Sequence, residues 1–131
     1  MAEHPDVTLV KRGYAAFSSA DIATLSQLIA ADAVQHMPGD HQVSGDYKSR
    51  DEILAFYGRL AELTGGTYSV EPEAFYTDGL GTVTVVHRVR AERGGKHLDT
   101  REALTFRIER GEIVELTDQT EDLDADNAFW A

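Results

Sequence analysis

The amino-acid sequence predicts an α+β fold, one curved antiparallel sheet with helices on its concave face, and three observations predict it. Apolar residues in the first half recur at three- and four-residue spacing. From Thr67 onward they alternate. The alternating stretches are joined by short glycine-bearing turns, the connections antiparallel hairpins prefer.

Val7, Val10, Tyr14 and Phe17 share one face of a helix over Asp6 to Ser18. Ser18-Ser19-Ala20 breaks it, Asp21 is placed to cap a second helix, and Ile22, Leu25, Leu28 and Ile29 supply that helix's apolar stripe. Ala33 to Pro38 reads as a brief strand ended by Pro38-Gly39, and Asp40 to Tyr47 as a polar loop. Ser49 and Glu52 have capping-box spacing and open a helix whose face is Ile53, Phe56, Tyr57, Leu60 and Leu63. Gly65-Gly66 ends it. Strands follow near Thr67 to Tyr76, Gly81 to Arg93, Lys96 to Glu109 and Glu112 to Thr120, with turns at Asp78-Gly79, Gly94-Gly95 and Arg110-Gly111. Phe129-Trp130-Ala131 closes a short helix or tail.

A chain of 131 residues, 42% hydrophobic and 27% charged, is one domain, 1–131, with material for a core and a cavity within it. Cysteine is absent, which excludes disulfides and thiol nucleophiles. Twelve basic against 23 acidic residues give a net charge of −11, which repels phosphate backbones and anionic membranes, so neither nucleic acid nor a membrane is an expected partner. No basic head precedes an apolar run, and a cytoplasmic protein is the expectation. The five histidines show no helical H-x-x-x-H pair and no tight carboxylate cluster, and no phosphate-binding glycine motif or serine elbow occurs. No metal or cofactor is expected.

Polar residues on apolar faces carry the functional signal. In the strand after Gly95, Leu98, Leu104, Phe106 and Ile108 form an apolar row that Glu102 interrupts. A carboxylate there faces a wet pocket, joins an ion pair, or is displaced by a bulge. In the preceding strand His87 interrupts the row of Val83, Val85, Val89 and Ala91, as a satisfied core histidine or as an imidazole oriented by Glu102. Val114, Leu116 and Asp118 share a parity that aims Asp118 inward, and His36 shares a face with Val34 at a strand end, where a side chain reaches a cavity mouth. His41, Gln42 and Asp46 fall on the exposed loop. Tyr14, Phe17, Phe56, Tyr57 and Trp130 are core aromatics by default, although the Tyr14 and Tyr57 hydroxyls can also donate to a ligand.

Two helices, a strand ending in His36-Met37-Pro38-Gly39, the segment Gly45 to Ile53 opening helix three, and four further strands together resemble the SnoaL-like group of the nuclear-transport-factor-2-like superfamily, related to ketosteroid isomerases. The resemblance implies a cone-shaped half barrel around three helices, an internal pocket and a homodimer formed through the outer sheet surface. It places His36 where the isomerases carry their aspartate base. Glu102 and Asp118 match in kind the acidic residues that polyketide cyclases use on late strands. The implied function is cofactor-independent proton transfer, of isomerase, cyclase or hydrolase type, on a small apolar carbonyl-bearing or cyclic ligand. His36 or His87 would serve as base, Asp118 or Glu102 as acid or orienter, and Tyr14 or Tyr57 as oxyanion donor. Phe17, Met37, Phe56, Tyr57, Leu104 and Leu116 would line the pocket. The alternative is a non-catalytic dimeric binding module, since fold alone does not settle function.

Overall fold

The computed structural model describes residues 2–131. Along the chain come α1 (Pro5–Ser18), α2 (Ile22–Leu28), β1 (Ile29–Met37), β2 (Gly45–Tyr47), α3 (Arg50–Leu63), β3 (Ser69–Thr77), β4 (Thr82–Arg93), β5 (Lys96–Glu109), β6 (Glu112–Thr120) and α4 (Leu123–Trp130). The helix signals act as their chemistry dictates. His4 Nδ1 accepts the Asp6 amide at the start of α1, and Asp21 accepts the Thr24 amide at the start of α2. At α3 the Ser49 hydroxyl accepts the Glu52 amide, while the Glu52 carboxylate reaches one residue further back, to the Lys48 amide. Gly65 and Gly66 sit at φ +59° and +81°, the left-handed conformation that stops α3.

The six strands form a single sheet in the order β2-β1-β6-β5-β4-β3. Strands β3 to β6 make the expected antiparallel meander. The sheet as a whole is mixed, because β1 joins β6 in parallel. The helical hairpin delivers Ile29 opposite Ile113, at the end of the sheet from which the Arg110-Gly111 turn launches β6, so both strands run the same way. Strand β1 begins earlier than its sequence suggested, and the following loop contains β2, whose three residues pair with Gln35, His36 and Met37.

Helices α1 to α3 pack on the concave face, where buried aliphatic residues such as Val10, Leu28, Ile53, Val83 and Ile108 form one apolar cluster. A second cluster gathers Phe56, Leu60, Val89, Leu98, Phe129 and Trp130, and the last two bring in α4. Burying each large side chain stabilises the fold by about 1.5–3 kcal/mol relative to exposure. Asp122 caps α4 by accepting the Ala125 amide at 3.0 Å. At its other end, the Arg93 guanidinium donates to the carbonyls of Phe129 and Ala131, and the Lys96 ammonium donates to that of Ala128. Cations at a helix C-terminus meet its partial negative charge, which fixes α4 against the sheet.

The convex face carries the charged rows. Arg88 forks onto Asp99 with two bonds of 2.6 Å, Arg101 meets Glu73 at 2.7 Å, and Arg107 meets Glu109 at 2.9 Å. Among the described residues no helix is long and apolar enough to cross a membrane.

Candidate functional site

Alternation along β4 and β5 turns His87 and Glu102 to the concave side, and the register sets them directly opposite each other. Glu102 Oε1 lies 3.0 Å from His87 Nε2, and the Tyr14 hydroxyl lies 2.6 Å from the other ring nitrogen. Helix α1, β4 and β5 thus contribute one polar chain, Tyr14–His87–Glu102. All three residues were expected at the site, and the structure brings them together.

A second chain approaches from the other side. Leu116 and Asp118 face inward on β6, and Asp118 lies opposite Leu104. Its Oδ2 accepts a bond of 2.9 Å from the Gln35 amide, whose Oε1 in turn accepts the Tyr57 hydroxyl at 2.7 Å. The parity argument held for Leu116 and Asp118 but not for Val114. A bulge pairs Ile108 with Ile113 and Arg107 with Glu115, so Ile113 is buried in place of Val114.

His36 does not reach the site. Ala33, Gln35 and Met37 are the inward row of β1, which sends Val34 and His36 to the opposite face. There the imidazole bridges Asp46 at 2.8 Å and Glu115 at 2.9 Å, and those two carboxylates hold its pKa above the usual value. Of the loop residues, Gln42 and Asp46 are exposed as expected, whereas His41 is half-buried with an unpartnered Nε2.

Between the two chains lies a cavity of about 70 Å³. Phe17, Met37, Phe56, Tyr57, Leu104 and Leu116 all line it, with Tyr14, Gln35, Tyr68, His87, Glu102 and Asp118 as the polar groups; no lysine or arginine does. Gln35 and Tyr68 escaped the sequence reading. Gln35 was legible as a polar residue between the apolar Ala33 and Met37; Tyr68, just before β3, shares its parity with Val70, and both line the cavity.

Burial dominates the electrostatics. It pushes the Glu102 carboxyl up to about 8, with the Asp126 charge adding to the effect. It pushes Asp118 up to about 7, reinforced by Glu102 and opposed by the Gln35 hydrogen bond and by His87. The same burial lowers His87 and keeps the Tyr14 and Tyr57 phenols protonated far into the alkaline range. Asp126, on α4, is another acid that sequence reading missed. It is 0% exposed, neither of its oxygens closes a well-formed hydrogen bond among the described residues, and burial raises its pKa against the opposing influence of the Thr120 side chain.

His87, Glu102 and Asp118 each place one ligating atom within 4.8 Å of the others, a spacing that would admit a divalent cation. Three adjacent strands build this cluster, so no local spacing motif announced it. Both imidazole nitrogens are already hydrogen-bonded and both carboxyls retain protons towards neutrality, so the arrangement is suited to holding and moving protons.

The sequence and the fold have counterparts. A SnoaL-like domain model matches residues 10–116. An uncharacterized protein of Mycobacterium tuberculosis is 37% identical over 131 residues, covering 100% of both chains. Bal32a, from a soil-derived mobile gene cassette, superposes with a TM-score of 0.95 at 37% identity, covering 97% of each chain. At the level of fold alone, a candidate SnoaL-like polyketide cyclase from Jannaschia matches with a TM-score of 0.80 at 17% identity, over 98% of this chain and 94% of that one. The chain belongs to the SnoaL-like domain family.

Proposed function

We propose that the protein is a cofactor-independent enzyme that moves a proton on a small, neutral, carbonyl-bearing or cyclic compound held in the cavity. One observation carries the reading: two carboxyl groups with proton affinities near neutrality share one apolar hollow, each fixed by its own hydrogen-bonded chain. General acid–base catalysis works best when the group's pKa lies near the operating pH. Asp118, the more acidic of the pair, is the base that takes a proton from the carbon beside the carbonyl. Glu102, protonated at neutral pH and oriented by His87, is the acid that returns a proton to the ligand. The apolar wall keeps bulk water from competing for either.

The test is exchange of the α-hydrogens of cyclohexanone and acetophenone in deuterium oxide, followed by NMR. The protein should accelerate exchange, and Asp118→Asn should lose about a hundredfold or more of that acceleration. Equal rates with both proteins would refute the assignment. Binding without exchange would leave a carrier in place of an enzyme.

A further inference from the structure

Three phenol side chains line the cavity, and two are committed to the protein. Tyr57 donates to Gln35 Oε1 at 2.7 Å, and Tyr14 shares its hydroxyl with His87 Nδ1 at 2.6 Å. Tyr68 closes no side-chain hydrogen bond with any described residue, although the charges of Glu102 and Asp118 bear on its hydroxyl. Its position is nevertheless well fixed. The Tyr68 amide donates to Thr64 Oγ1 at 3.2 Å, and its ring lies 6.1 Å from that of Phe17 on α1 and 6.1 Å from that of Trp130 on α4. Asp118 complements it. Oδ2 is occupied by Gln35, while Oδ1 makes no bond among the described residues.

Tyr68 is half-buried at the wall of the cavity, and a fixed hydroxyl there that bonds no other described side chain is free to donate to a guest. We infer that Tyr68 is the ligand-binding donor of this site: it hydrogen-bonds the carbonyl oxygen of the ligand while Asp118 Oδ1 faces the adjacent carbon-bound hydrogen. The inference deepens the proton-transfer reading by naming the group that receives the oxygen, and it also holds for a ligand that merely binds. Burial and the nearby acids keep the Tyr68 phenol neutral, so it donates across the whole working pH range. In proton transfer the same bond strengthens as negative charge develops on the oxygen. The bound compound is therefore a neutral ketone or aldehyde, aligned by one oxygen.

The experiment compares acetophenone with α-methylstyrene, which replaces the carbonyl oxygen by a methylidene group of similar shape. Affinities are measured by NMR titration for the wild-type protein, Tyr68→Phe and Tyr14→Phe. The wild type should prefer the ketone, and Tyr68→Phe should reduce that preference about tenfold while leaving α-methylstyrene binding unchanged. The ¹³C carbonyl resonance of bound acetophenone should move downfield in the wild type and lose that displacement in Tyr68→Phe. Tyr14→Phe should keep the preference. Asp118→Asn is read for exchange alone, whose loss tests the proton-transfer reading, whereas the ketone preference of Tyr68→Phe tests this one, so the two failures are separable. An unchanged ketone preference in Tyr68→Phe, a loss that follows Tyr14→Phe instead, or no binding of either probe to the wild type would overturn the assignment.

Discussion

Replacing Glu102 by glutamine should make the protein more stable at pH 8 and leave it nearly unchanged at pH 4. In the unfolded chain this carboxyl titrates at its ordinary 4.5, whereas in the fold burial raises it to about 8. Below pH 4.5 both states carry the proton, and folding gains or loses nothing from it. Between 4.5 and about 8 the folded state holds a proton that the unfolded state has released, so stability falls as pH rises and levels off only above the upper value. At about 1.4 kcal/mol per tenfold change in proton affinity, the full gap is worth about 5 kcal/mol. The carboxyl interacts with its acidic neighbours, which divide the effect, and about 2–4 kcal/mol is the expected gain. Glutamine has the same shape and can still bond His87 Nε2, so no cavity opens. Urea denaturation of both proteins at half-unit steps from pH 4 to 8.5 measures the effect. Parallel curves, or a variant weaker at every pH, would refute the claim that Glu102 is a buried acid held neutral by its surroundings.

On the convex face the linkage has the opposite chemistry. Asp46 and Glu115 raise the pKa of His36, so its contribution is complete below pH 6.5 and disappears as pH rises through the raised value; His36→Gln should flatten that arm of the stability curve without altering cavity binding. Trp130→Ala should cost about 3–5 kcal/mol, because the ring is 1% exposed and packs edge-on against Phe129 at 4.7 Å. Thermal unfolding and the near-ultraviolet circular dichroism of the aromatic cluster would register that loss. Gly81→Ala should cost more than the usual ~1 kcal/mol of a strained glycine replacement, since φ is +99° and an added Cβ would stand 2.8 Å from the Ile108 carbonyl oxygen. A melting temperature equal to the wild type's would count against the close approach of those backbones.

The long hairpin of β4 and β5 was legible because strict alternation leaves no choice of face: four apolar residues on one side of each strand make an odd His87 or Glu102 stand out. Strand β1 misled for an instructive reason. His36 and Met37 were both assigned to the cavity, yet successive residues of a strand point to opposite faces, so at most one of them could line it. Met37, in register with Ala33 and Gln35, was the consistent choice. At Val114 a bulge broke the count, and bulges leave little trace in a single sequence. Asp126 was hidden by its acidic surroundings: in Glu121-Asp122-Leu123-Asp124-Ala125-Asp126 nothing marks one carboxyl as fully enclosed, and only the docking of α4 decides it.

The cavity wall contains acids, phenols, an amide and an imidazole but no cationic side chain. A guest that arrives as an anion would find no counterion there, and the cost of stripping its hydration would go uncompensated. Under the proposed function, organic acids would enter only in their neutral form, and in alkaline solution, once both resident carboxyls ionise, even a weakly acidic phenol would be repelled. Such a wall would sort visitors by charge before it sorted them by shape.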